Sequence, residues 1–101
     1  PHALMSSYNQ INGEFCAASH SLLTGILREE WGFKGLVMTD WWTISDKRRH
    51  PAAGNDVVMP GMAHEWEDLL AAVKAGKVAR ADLQRSAVRI LNVVLNRMKA
   101  K

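Results

Sequence analysis

Gly35-Leu36-Val37-Met38-Thr39-Asp40-Trp41 is the stretch that decides the fold. Its apolar run is continuous, too short for a helix, and bounded by a glycine and an aspartate. It therefore reads as a strand buried on both faces, the pattern of a parallel sheet. Working back toward the N-terminus, Leu22, Leu23, Ile26, Leu27 and Trp31 follow helical spacing, with Ser19 or Ser21 as N-cap and Gly32 as the stop. Gly25 inside this helix costs about 1 kcal/mol relative to Ala. Asn9 to Ser19 reads as a loop, although Asn12-Gly13 equally fits a hairpin turn. Ala3-Leu4-Met5, running into Ser6-Ser7-Tyr8, has the form of a buried strand with a polar rim.

Working forward, Asp46-Lys47-Arg48-Arg49-His50-Pro51 reads as a solvated loop in which Pro51 breaks or begins a helix. Asp56-Val57-Val58-Met59, closed by Pro60-Gly61, is a third expected strand. Trp66, Leu69, Leu70 and Val73 then mark a helix ended by Gly76. Leu83, Ala87, Ile90, Leu91, Val94 and Met98 mark the apolar face of a last one, expected to dock on a core. Strands alternating with helices point to an α/β sheet or barrel. Three strands cannot close a barrel of eight, so the chain reads as a piece of a larger domain.

Composition narrows the function classes. With 101 residues, 48% hydrophobic, 23% charged and a net charge of +3, disorder is excluded and at most one domain can pack. Basic and acidic residues are interspersed. The basic side chains of the last helix, Arg85, Arg89, Arg97, Lys99 and Lys101, lack interleaved aromatics, so neither nucleic acid nor a membrane surface is an expected partner. No apolar run approaches the roughly 18 residues that span a bilayer. Cys16 stands alone, which excludes an internal disulfide or a thiolate zinc cage, and His2, His20, His50 and His64 show no metal-ligand spacing. Surface or capping roles are expected for these histidines, and an inert thiol for Cys16. From Pro1 onward no export signal is visible, and a cytoplasmic or a periplasmic location is left open.

Polar residues gather where the expected strands end: Tyr8 after the first, Asp40 and Trp41 after the second. In parallel architectures ligands bind at the carboxyl ends of strands. A carboxylate there is costly without a partner or a purpose, so Asp40 is the sharpest candidate, with an N-cap or ion-pair role as the alternative. Trp41 beside it offers a flat apolar face suited to the C–H face of a sugar and excludes water. Trp42 is expected to fill the core.

Met5-Ser6-Ser7-Tyr8-Asn9-Gln10-Ile11-Asn12-Gly13, Leu22 to Gly35, Met38-Thr39-Asp40-Trp41 and Ala53-Gly54-Asn55-Asp56-Val57-Val58-Met59-Pro60-Gly61 together closely resemble family 3 glycoside hydrolases, the family of many microbial β-glucosidases. The likeness is to the C-terminal part of the catalytic barrel and covers nearly the whole chain, in the family's motif order. It implies a partial (β/α)8 TIM barrel: the last three strand–helix units over about residues 1–78, and a post-barrel helix over about 79–101. It implies hydrolysis of terminal β-glycosides with retention and without a cofactor or metal. Asp40 then matches the nucleophile, Trp41 lines the sugar subsite, Tyr8 stands near the nucleophile, and Met5 supports the pocket. The substrate implied is a β-linked sugar or an aryl or alkyl glycoside.

A retaining mechanism needs two carboxyl groups about 5 to 5.5 Å apart. The family's acid/base residue usually lies in a second domain, and its hydroxyl-gripping residues lie on earlier strands. Glu65, Glu67, Asp46 and Asp56 match none of these and read as structural. Three positions depart from the family pattern: Val58, the Lys47 to Pro51 stretch, and Ala79 where Ser commonly caps the last helix. The alternatives are a β-xylosidase, a β-N-acetylglucosaminidase, or a non-catalytic carbohydrate-binding or interaction fragment. An open barrel edge would also favour self-association.

Overall fold

A computed structural model of the chain describes residues 1–100, and Lys101 lies outside them. Two strands, β1 (Ala3–Ser6) and β4 (Leu36–Thr39), pair in parallel with the register Ala3↔Leu36 through Ser6↔Thr39. Leu36 and Val37 are buried and Thr39 is fully so, as a strand covered on both faces requires. The third expected strand is a correction. Asp56 to Met59 contributes a single parallel bridge, Met38↔Val57, because Asp56 turns its amide and side chain into the sheet instead of extending it. The segment nevertheless runs alongside β4, with Val57 N donating to Val37 O at 3.1 Å and Thr39 N to Val57 O at 2.8 Å.

The expected loop after β1 contains a small antiparallel hairpin, β2 (Gln10–Ile11) and β3 (Glu14–Phe15). Its turn is Asn12-Gly13, both with positive φ (53° and 79°), the two-residue turn whose twist suits a hairpin. A 3-10 turn, Cys16–Ala18, follows and is buried, which places the Cys16 thiol inside the protein rather than in an open loop.

The crossover from β1 to β4 is helical over Ser21–Glu30, wound with the wide π pitch instead of the α-helix that the periodicity predicts. Thr24-Gly25 at its centre are weak α-helix formers, which lowers the cost of the change. Ser19 Oγ accepts from Leu22 N at 3.2 Å, and Gly32 (φ 71°) ends the segment as expected. Leu23 packs with Val37 and Ala53 to form the core, with Leu22, Leu27 and Phe33 against it.

The basic stretch is a second correction. Lys47–Arg49 forms a 3-10 turn capped by Asp46, whose side chain accepts from Arg48 N, and it leads directly into α1 (His50–Ala53). Pro51 sits in the first turn of α1, where its missing N–H costs nothing. Alternation between exposed Arg48 and Arg49 and buried His50 and Pro51 explains why charge alone misread this segment as solvated. Gly54 (φ 102°) ends α1; a Cβ there would also meet Thr24 Oγ1 at 2.8 Å, so only glycine fits.

Two longer helices, α2 (Ala63–Lys74) and α3 (Arg80–Lys99), complete the chain. Glu65 accepts from Met62 N at 3.0 Å and so closes the start of α2. Ala79 supplies the extended N-cap backbone of α3 but no side-chain hydrogen bond. The buried residue of α3 is Ser86, whereas Leu91, Val94 and Met98 on the expected docking face are exposed. Leu83 and Ile90 of the expected face are half-buried, and polar contacts from Ser86 and Arg89 to Asp56 turn the inward face of α3 away from Leu91, Val94 and Met98.

Candidate active site

Because β1 and β4 are parallel and in register, their carboxyl ends open on the same edge of the sheet. Ser6 ends one and Thr39 the other, and Asp40 N donates to Ser6 O at 3.3 Å. The chain therefore delivers Tyr8 and Asp40 to one place. Asp40 is half-buried, and its Oδ1 accepts from Trp41 N at 2.7 Å, which orients the carboxylate at the strand end.

Tyr8 reaches across the two strands, its hydroxyl donating to Trp41 O. The phenol is held above its usual value of 10, first by desolvation and then by the negative charge of Asp40, which disfavours a second anion nearby. Trp41 and Trp42 are both more than half exposed, their ring centroids 6.3 Å apart and their planes at 67°. The exposure of Trp42 corrects the expected core role. Its left-handed backbone (φ 62°), with its N–H donating to Met59 O at 3.2 Å, turns the side chain outward. Met5 lies in β1 opposite Met38 and is 61% exposed, on the other face from buried Ser6.

Several residues that support this edge were not singled out by sequence. Thr39 Oγ1 accepts from Met59 N at 2.9 Å, tying the segment before the cis Met59-Pro60 bond to the strand that carries Asp40. Asn55 Nδ2 donates to Ser6 Oγ at 2.9 Å and to Ala17 O at 3.0 Å. Ser45 Oγ and His50 Nε2 are 2.7 Å apart with both residues almost wholly buried, which corrects the surface or capping role expected for His50. Burial, with the charge of Lys47 adding to it, pushes His50 down to about 4, against opposing effects of Asp46 and Glu65. The available signal was a polar side chain within or beside an apolar run. Asp56 had that signal too, and the structural role expected for it fits its full burial between Arg28 and Arg89. Among the described residues no three His, Cys, Asp or Glu side chains gather as a metal would need.

The fold and this edge define an α/β unit that presents a carboxylate, a phenol and two indoles at the carboxyl ends of parallel strands. Residues 2–93 match the family model described as the glycosyl hydrolase family 3 N terminal domain. The chain belongs to that family. It is 45% identical, over 97% of its length, to a β-glucosidase of Rhizobium radiobacter. It is 39% identical, over 93%, to an exo-α-(1->6)-L-arabinopyranosidase of Bifidobacterium breve, and it spans 12% of the length of each of these relatives. Among solved structures, β-glucosidase 3B from Thermotoga neapolitana in complex with glucose superposes with a TM-score of 0.90 at 39% identity, over 95% of this chain and 14% of that one.

Proposed function

We propose that this chain is the nucleophile-bearing part of a family 3 β-glucosidase barrel, with about residues 1–78 as its last three strand–helix units and the segment from about residue 79, which carries α3, following the barrel. The observation that carries the reading is the delivery of Asp40 and Tyr8 to one strand edge from two register-paired parallel strands. In this reading Asp40 attacks the anomeric carbon of a terminal β-glucoside as the aglycone oxygen leaves with a proton. Water then displaces Asp40 from the covalent glycosyl-enzyme with retention. Trp41 lines the sugar subsite, Tyr8 hydrogen-bonds beside the nucleophile, and Met5 supports the pocket. The hydrogen bond from Trp41 N to Asp40 Oδ1 holds the carboxylate in one orientation at the strand end, from which it can attack. The proton donor to the leaving oxygen comes from outside these 101 residues, so the chain alone does not turn substrate over. Its uncovered sheet edge and the apolar side chains of α3 support self-association.

The test is the intact mass of the full chain after incubation with a slow 2-fluoro-β-glucoside, together with turnover in the complete enzyme. A single sugar adduct that Asp40→Ala abolishes supports the reading, as does loss of aryl β-glucoside hydrolysis in the complete enzyme carrying Asp40→Ala. Near-normal turnover by that variant sinks it. The similarity to an arabinopyranosidase favours one second reading, the same nucleophile acting on a different glycone. Relative kcat/KM on aryl glucoside, xyloside, N-acetylglucosaminide and α-L-arabinopyranoside separates the two.

A further inference from the structure

The segment after Asp40 alternates in burial: Trp41, Trp42 and Ile44 are exposed, Thr43 and Ser45 buried. Trp42 adopts a left-handed backbone that bulky residues rarely occupy, and such a conformation persists only where its surroundings hold it. The near side is held by Trp42 N on Met59 O at 3.2 Å. At the far side Ser45 Oγ meets His50 Nε2 at 2.7 Å, and Lys47 Nζ donates to Thr43 O. His50 is rigidly placed, since Gly54 and Asn55 both donate to its carbonyl (3.1 and 2.9 Å) and Pro51 starts the helix behind it.

We propose that Ser45 and His50 form a positioning pair that clamps the loop bearing Trp41 and Trp42, fixing the inclined, edge-to-face stance of the two indoles. Neither residue touches the reacting atoms; they act through the loop. The clamp deepens the glycosidase reading and rests on it for its purpose, but the stance of the indoles can be read without turnover. A hydroxyl and an imidazole suit the task because their buried hydrogen bond has no competing water, and the loop cannot shift without leaving both groups unpaired.

Two indoles at 6.3 Å and 67° are expected to give an exciton-coupled circular dichroism couplet in the full chain, identified as the signal that Trp42→Phe removes. Ser45→Ala and His50→Phe are expected to abolish that couplet while the helical signal remains. His50→Gln, whose amide can still bond the Ser45 hydroxyl, restores it. A couplet at wild-type strength in folded Ser45→Ala overturns the proposal, as does equal loss in the Gln and Phe variants or a wild-type chain without the couplet. Should Ser45→Ala unfold, the nearly isosteric Ser45→Cys is read in the same way. The glycosidase reading fails separately, through an absent dependence of turnover on Asp40.

Discussion

Arg28 Nη2 meets Asp56 Oδ2 at 2.9 Å with the carboxylate wholly buried, and this pair ties the crossover helix to the segment beside β4. Arg89 Nη1 and Ser86 Oγ reach the other oxygen at 3.0 and 2.7 Å, and Val37 N donates to Oδ2 at 3.0 Å. One carboxylate thus joins the Ser21–Glu30 helix, β4 and α3. Burial and the neighbouring Arg89 push the Arg28 guanidinium down from its usual value, while Asp56 opposes them. Removing the carboxylate leaves two cations without their counter-charge. Asp56→Ala is expected to cost about 3 to 5 kcal/mol. Urea unfolding of the full chain measures it, and a loss under about 1 kcal/mol would put the pair in the class of exposed bridges.

His50 makes stability depend on pH. Its folded value lies near 4, below the 6.5 of an exposed imidazole, so between those values the unfolded chain binds the extra proton. The contribution is complete above pH 6.5 and is lost as pH falls toward about 4. Its size is ~3 kcal/mol at 1.36 kcal/mol for each pH unit. Denaturation of wild type and His50→Gln at intervals from pH 7.5 down to pH 4 checks this. The wild type is expected to fall more steeply below pH 6.5, and parallel curves would refute the assignment.

Tyr8 is the only tyrosine in the chain, so its ionisation can be read directly by ultraviolet absorbance. Its midpoint is expected above 10 in the wild type and lower in Asp40→Asn, where the second cause of the upward shift is removed. An unchanged midpoint would separate the phenol from the carboxylate.

Ala79 holds N-cap backbone geometry, φ −75° and ψ 131°, without a side-chain acceptor, and it is exposed. Ala79→Ser is therefore expected to stabilise the chain by about 1 kcal/mol by accepting from an amide in the first turn of α3. A rise in the urea midpoint at unchanged slope is the readout.

Sequence alone determined the parallel strand over residues 36–39, the crossover helix before it, the amphipathic helices after it and the position of Asp40 at a strand end. Each follows from short-range chemistry: an unbroken apolar run, helical spacing, a glycine where the chain must stop. The Ser-Tyr-Asn, Thr-Asp-Trp and Met-Pro-Gly motifs likewise made the family legible before any coordinate. Tertiary structure decided which polar groups pair. Asp56 looked like the start of a strand, yet it folds inward because Arg28 and Arg89, distant in sequence, converge on it. His50 sat in a charged run, and its burial depends on a helical turn that hides every few residues among exposed ones. Trp42 looked like core, and a left-handed backbone position with its N–H on Met59 turned it to solvent. Burial and pairing are properties of contacts between distant segments, and local pattern carries the alphabet of those contacts without their addresses.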